Sequence, residues 1–286
     1  MSKNEQAIEF ECAGELLVGI LSGTGHPAGR GVLIVVGGPQ YRVGSHRQFT
    51  LLARHLAEHG VPAFRFDYRG MGDGAGEVRT FESVGADIRC AIDQFFTSVP
   101  ELKEVVLWGL CDGASAALFY AHHDARVSGL VLLNPWVRSE EGAARAQLRH
   151  YYLRRLLQST LWQKVARGEF KIREATVALA RSVVDAMRRR APSRPFENLP
   201  AGDAPLPDRM EDAMQRFRGK VLLILSGNDL TAQEFKDVVA RSRHWRRLLA
   251  GDRATRFDLP EANHTFAQRE WRSQVERWTE EWVKKY

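Results

Sequence analysis

Twelve residues, Val105 to Ala116, constrain the fold of this chain more than any other stretch. Val105-Val106-Leu107-Trp108 reads as a buried strand, and Ala114 to Tyr120 reads as the opening of an apolar helix. Between them lies Gly109-x-Cys111-x-Gly113, the Gly-x-nucleophile-x-Gly pattern of a strand-to-helix elbow, with cysteine where serine is usual. Such a turn forces its central residue into a strained conformation, and glycine on either side removes the Cβ atoms that would collide. It also puts the thiol at a helix N-terminus, where unpaired amides and the helix dipole favour an anionic sulfur. A small apolar cysteine in an ordinary βα turn would carry the same residues, so the pattern around the elbow has to decide.

That pattern is an alternation. Residues 6–12 and 15–22 read as two strands joined at Gly14. Gly31 to Val36 is a continuous apolar run, as in a strand covered on both faces. Ser45-His46-Arg47-Gln48 has the form of a capping box, and Phe49, Leu52, Ala53 and Leu56 follow at helical spacing up to Gly60. Strands over Val61 to Asp67 and Val127 to Leu133, and a helix around Ser83 to Thr97, continue the series. From about Val137 to Phe217 no strand-like run occurs; helical patterns and then a proline-punctuated return replace it. Val221 to Leu225 restarts the strands and Phe257-Asp258-Leu259 is the last. Trp271, Val275, Trp278 and Trp282 space a closing helix with a tryptophan-rich buried face. The expected architecture is α/β: a mostly parallel central sheet with helices on both faces and a helical cap inserted after the sixth strand. The core is expected over 1–136 and 219–286, with the cap, or lid, over 137–218.

Composition narrows the setting. A chain of 286 residues with 44% hydrophobic content can bury a sizeable core. No apolar run approaches the ~20 residues that cross a bilayer, and the N-terminus is polar, so a cytoplasmic protein without a membrane span is expected. Three cysteines, Cys12, Cys90 and Cys111, cannot all pair and have no metal-ligand spacing; neither a metal nor a cofactor is implied. The net charge of +6 is local: residues 138–218 hold 17 Lys and Arg against 10 Asp and Glu, the rest 24 against 25. An anionic partner near that segment, or a solvated arginine-rich helical surface, accounts for it. No nucleic-acid-binding motif accompanies the charge.

A cysteine nucleophile needs a base, and the base needs an orienting acid. Asp229, in Ser226-Gly227-Asn228-Asp229 directly after a strand, is the candidate acid, although it could simply cap the next helix. His264, in the loop after the last strand, is the candidate base. They lie 118 and then 35 residues along the chain from Cys111 and from each other, so only the fold can assemble them. His46, His55, His59, His122 and His123 lie on or beside predicted helices and read as surface residues. An oxyanion hole should come from two backbone amides. One is that of Asp112. The other is that of Gly38, in Gly37-Gly38-Pro39-Gln40, since Pro39 has no amide hydrogen; Gln40 is the reserve. Gln40, Tyr41, Arg69 and Trp136 are candidate pocket residues.

With these residues the chain resembles an α/β-hydrolase over nearly its whole length. Val36-Gly37-Gly38-Pro39 stands where many members carry His-Gly-x-Pro, and Asp67-Tyr68-Arg69-Gly70-Met71-Gly72 matches the Asp-x-Arg-Gly-x-Gly loop. Within the superfamily, the stretch from Val36 to Phe49 and Phe66 to Asp73 are similar to the exosortase A system-associated hydrolase 1 group, which accompanies bacterial protein-sorting and exopolysaccharide loci. Val36 for histidine touches loop geometry. Cys111 for serine also occurs in dienelactone hydrolases and polyhydroxyalkanoate synthases, so the reaction need not be plain ester hydrolysis. The resemblance implies cleavage of an ester or thioester of a small-molecule acyl substrate through Cys111, His264 and Asp229. Acyl transfer from a carrier-protein or coenzyme A thioester, and an inactive homologue kept as a binding protein, are the alternatives.

Overall fold

The computed structural model describes residues 5–23, 29–38, 40–137 and 204–285. Its sheet begins with strands β1 (Glu5–Cys12) and β2 (Glu15–Ser22), paired antiparallel about a two-residue turn. Ala13 and Gly14 both take positive φ there, 53° and 82°, matching the primed turns that suit a twisted hairpin. Strands β3 (Arg30–Val35), β4 (Ala63–Asp67), β5 (Glu104–Leu110) and β6 (Val127–Leu133) follow, then β7 (Lys220–Asn228) and β8 (Ala254–Asn263). The order across the sheet is β1-β2-β4-β3-β5-β6-β7-β8. β2 meets β4 antiparallel, and every pair from β4 to β8 is parallel.

The parallel strands are apolar throughout because both faces are covered: Val32 to Val35, Val105 to Leu107 and Leu130 to Leu133 are buried. The covering helices are α1 (Gln48–Glu58), α2 (Gly85–Ser98), α3 (Asp112–Ala121), α4 (Leu206–Arg216), α5 (Leu230–Arg241), α6 (Arg243–Ala250) and α7 (Arg269–Lys285). α1 packs with α7, and α2 with α3, so the helices form layers on both faces. Most of the expected cap, residues 138–203, lies outside the described residues. Its last part is helix α4, which buries Met210, Ala213 and Met214 and contacts α3.

Three local expectations need correction. Ser45 does not cap α1. Gly44, His46 and Arg47 all have positive φ, a 3-10 turn covers Ser45–Arg47, and the Ser45 N–H donates to Gln40 Oε1 at 3.1 Å. With that backbone the hydroxyl cannot face the first helical amides, and α1 starts at Gln48 without a side-chain cap. In α7 the deeply buried positions are Val275, Glu276, Thr279 and Val283, while Trp271, Trp278 and Trp282 are half-buried at the rim of the core. Trp278 stacks on Phe257 of β8 with ring centres 4.5 Å apart. Finally, β8 runs for ten residues, far beyond Phe257–Leu259, because alternation along an edge strand hides its length in a sequence of mixed polarity.

Candidate active site

Strand β5 ends in the elbow and α3 begins immediately after it. Cys111 sits between them at φ 61° and ψ −125°, a region that an L residue enters only under constraint. The flanking glycines are required by backbone. A Cβ on Gly109 would lie 2.4 Å from the Gly113 carbonyl oxygen, and one on Gly113 would lie 2.6 Å from that of Val35. The strained residue is held at both ends: its N–H donates to Leu133 O at 2.9 Å, and its carbonyl accepts from Ala114 and Trp136 at 3.1 and 3.2 Å. Cys111 is half-buried and unpaired as a thiol.

Asp229 follows β7, where Gly227 permits close approach to β8; a Cβ there would lie 2.0 Å from Pro260 O. Its carboxylate does two jobs. Oδ1 accepts the Thr231 N–H at 3.2 Å and Oδ2 the Ala232 N–H at 3.0 Å, capping α5. Oδ2 also accepts from His264 Nδ1 at 2.9 Å. Capping and orienting are therefore not alternatives, because capping fixes the carboxylate that faces the histidine. The His264 pKa is raised to about 10, first by the hydrogen bond to Asp229 and then by one to Cys111, against the opposing effect of burial. His264 and Asp229 are thus directly bonded, and the Cys111 sulfur interacts electrostatically with the same imidazole.

One residue of this arrangement had no functional reading in the sequence. Asn134, fully buried at the end of β6 with φ 43°, donates through Nδ2 to His264 O at 3.0 Å. Its Oδ1 accepts the Ser226 N–H at 2.9 Å. It fixes the histidine loop to the strand that delivers Asp229. In the sequence it stands only as the residue before Pro135, where the Val127–Leu133 strand pattern ends.

The loop after β3 brings Gly37 and Gly38 against the start of α3. The half-buried Asp112 carboxylate fills the gap between them. Oδ1 accepts the Gly113 N–H at 3.0 Å and lies 2.3 Å from where a Gly37 Cβ would be. Burial raises the Asp112 pKa, while the N–H groups of Gly38, Gly113 and Asp112 itself act to lower it. The Asp112 carboxylate is thus bonded to the Gly113 amide and lies against Gly37 of the β3 loop.

The candidate pocket residues divide. The Gln40 carboxamide is engaged with Ser45, as described above, and Tyr41 is exposed. Arg69 is buried and committed to Asp87, with Nε and Nη2 on the two carboxylate oxygens at 2.8 and 2.9 Å; this is a packing role for the conspicuous arginine of its loop. Trp136 is tied to the elbow through its backbone, its carbonyl accepting from Ser115 Oγ at 2.7 Å. Asp67 of the same Asp-x-Arg-Gly loop is fully buried and accepts the Arg42 N–H at 2.6 Å and the Asp73 N–H at 3.1 Å. It joins the β3 and β4 loops beneath the site. A second group of polar side chains, His55, His59 and Glu280, links α1 to α7, with His55 Nε2 and Glu280 Oε2 2.8 Å apart.

A sheet of this order, an elbow at the end of β5, and acid and histidine after β7 and β8 together specify a hydrolase scaffold. A family model described as serine aminopeptidase, S33, matches residues 29–236, from β3 into α5. The chain belongs to this family. It is therefore an α/β-hydrolase-type enzyme. The fold of this S33-family chain is similar to that of the Pyrococcus furiosus esterase Pf2001, with a TM-score of 0.66 at 15% identity, covering 99% of this chain and 91% of that one. It is also similar to a dienelactone hydrolase from Anabaena variabilis, at TM-score 0.61 and 16% identity over 99% and 97% of the two chains. Est1E from Butyrivibrio proteoclasticus, solved with ferulic acid bound, gives 0.60 and 16% over 98% and 100%. In sequence, the polyketide transferase grgF of a Penicillium species is 30% identical over 104 residues, a stretch spanning 34% of this chain and 34% of that protein. Among the described residues, no helix is long and apolar enough to cross a membrane.

Proposed function

We propose that this S33-family hydrolase cleaves an ester or thioester through an acyl-cysteine intermediate, with Cys111, His264 and Asp229 as its working residues. The observation that carries the reading is His264, bonded through Nδ1 to a carboxylate fixed by the N-terminus of α5 and electrostatically coupled to the elbow sulfur.

As its sulfur attacks the carbonyl carbon the Cys111 thiol gives its proton to His264, and the carbonyl oxygen becomes an oxyanion that the Gly38 and Asp112 amides would receive. As the tetrahedral carbon collapses, the bond to the leaving oxygen or sulfur breaks, and His264 supplies its proton to that atom. Asp229 keeps Nδ1 protonated, so Nε2 faces the sulfur and the leaving group. Water then loses a proton to His264, attacks the thioester, and releases the acid and the free thiol. A small-molecule acyl substrate suits this chemistry, as does an acyl group on coenzyme A or a carrier protein. The exosortase-associated resemblance and a cytoplasmic setting belong to the same proposal.

Acyl transfer is the second reading. An acyl-cysteine is itself a thioester and passes its acyl group to thiols and amines as well as to water. The partial match to a protein named as a polyketide transferase favours this reading. Intact-protein mass spectrometry after brief exposure to p-nitrophenyl butyrate, and separately to butyryl-coenzyme A, tests both. A stoichiometric adduct on the wild type and none on Cys111→Ala is expected. Faster loss of that adduct with added amine or thiol marks a transferase. No adduct and no product from either donor overturns the proposal and leaves a binding protein.

A further inference from the structure

Away from the elbow, helices α1 and α7 bring three metal-ligating side chains together. His55 and His59 stand one turn apart at the end of α1, and Glu280 meets them from α7, 225 positions beyond His55. His55 Nε2 lies 2.8 Å from Glu280 Oε2, and His59 Nδ1 lies 3.8 Å from the same oxygen. One donor atom from each of the three falls within 4.8 Å of the others. A four-coordinate ion with bonds of about 2.0–2.1 Å holds its donors roughly 3.3 Å apart, so small side-chain adjustments bring these three onto one centre. Lys284 takes the other carboxylate oxygen, Oε1, at 2.8 Å and leaves Oε2 to the histidines. The His59 ring rests on His55 O through Nδ1 at 2.7 Å, and its side chain is 42% exposed, so it can turn without moving the backbone. Glu276, one turn before Glu280, is buried; its Oε1 has no hydrogen-bond partner, and Arg272 Nε is 3.7 Å away. Burial raises the Glu276 pKa, and His55 leads the charges that act against that rise.

We propose that His55, His59 and Glu280 form a binding site for a divalent transition-metal ion of the zinc class, which clamps α1 to α7. Two imidazoles and one carboxylate suit zinc, nickel or cobalt, whereas calcium and magnesium need a shell of oxygens. Water completes the coordination from the solvent side of His59. The negative end of the α1 dipole, at His59, adds to the attraction for a cation. The two histidines read as surface residues in the sequence because their third partner lies on a distant helix. The ion ties the helix that follows the Gly37-Gly38 loop to the helix that follows the His264 loop. Neither helix carries a residue of the proposed triad, so the site stands whether or not Cys111 is acylated.

The test is isothermal titration calorimetry and thermal unfolding of the full chain with zinc chloride, and with magnesium chloride as the oxygen-seeking control. All proteins carry Cys111→Ala, so that the elbow thiol cannot take the metal. One zinc ion per chain should bind, and a roughly hundredfold excess over Kd should raise Tm by roughly 4 °C, with no shift from magnesium. His59→Ala and Glu280→Gln should each raise Kd about tenfold or more and remove most of that shift, since even changes outside the ligand shell cost about 10–100-fold in metal affinity. His59 is exposed, so His59→Ala should melt like its parent when a chelator is present, and it carries the test alone if the Glu280 variant does not fold. The other neighbouring pair, His122 and His123, is the control, and His122→Ala should leave Kd unchanged. No stoichiometric zinc binding, or an equal shift from magnesium, overturns the proposal. So does zinc binding that stays within twofold of the parent in His59→Ala, or that is lost in His122→Ala instead.

Discussion

Asp229 offers the sharpest test, because its two roles respond differently to substitution. Asparagine is a good N-cap but has one accepting oxygen, so Asp229→Asn should keep the start of α5, lose one of its two cap bonds and cost about 0.5–1 kcal/mol. It removes the charge that holds a proton on His264, however the amide is turned. With nitrogen toward the histidine, Nδ1 becomes an acceptor and Nε2 carries the hydrogen, the wrong tautomer. With oxygen there, Nδ2 meets the Thr231 N–H, a donor facing a donor. The rate should fall roughly 10⁴-fold, as in the analogous serine triad, or about 5 kcal/mol in the barrier. Asp229→Ala should lose a similar factor in rate and a further ~1 kcal/mol of stability, because the Thr231 and Ala232 amides lose their acceptor. The assay pairs p-nitrophenyl butyrate turnover with urea unfolding. The pH dependence supplies a third reading. His264 titrates higher in the folded protein than its usual 6.5, so the stability it contributes is complete below about that pH and is lost as pH rises through about 10. In Asp229→Asn the fall in stability between those limits should shrink. An asparagine variant with full activity, or one that unfolds as readily as the alanine variant, would refute the division of roles.

Cys111→Ala should abolish turnover with little loss of stability, and Cys111→Ser should keep weak esterase activity; steady-state kinetics with thermal unfolding separates the two. Gly113→Ala places its Cβ 2.6 Å from Val35 O, so it should unfold at markedly lower urea and lose activity through displacement of the elbow. Asp87→Ala leaves the buried Arg69 guanidinium without its partner and should cost about 3–5 kcal/mol in chemical denaturation. Retention of wild-type stability in that variant would show Arg69 to be solvated rather than buried.

The layout of the sheet was legible because parallel strands covered on both faces write themselves as apolar runs, and the elbow because its two spaced glycines fall between such a strand and an apolar helix. Asp229 was legible as a turn residue after such a run, and His264 by its place in the last loop. What escaped was masked by polar composition, by backbone set elsewhere or by distant partners. Helices α5 and α6 are strongly polar on one face and sit between two strands that were easier to see. Ser45 had the right neighbours for a cap and the wrong backbone, set by Gly44. Arg69 looked like a binding residue because its partner, Asp87, lies 18 positions away on another element. Asp112 was chosen for its amide alone. That its side chain would turn back onto the β3 loop depends on one rotamer, which spacing does not encode.

The elbow is anchored to the place where the chain leaves the sheet. The Cys111 N–H is bonded to Leu133 O, its carbonyl to the Trp136 N–H, and the Trp136 carbonyl to Ser115 of α3. Tension applied to the polypeptide at Val137 is thus delivered, two peptide units later, to the main chain of Cys111, the proposed nucleophile. A few tenths of an ångström of slack there would change the aim of the sulfur without touching any side chain. Circular permutation or domain insertion at 137 should consequently behave like an active-site lesion, although the cut touches none of the side chains proposed for catalysis.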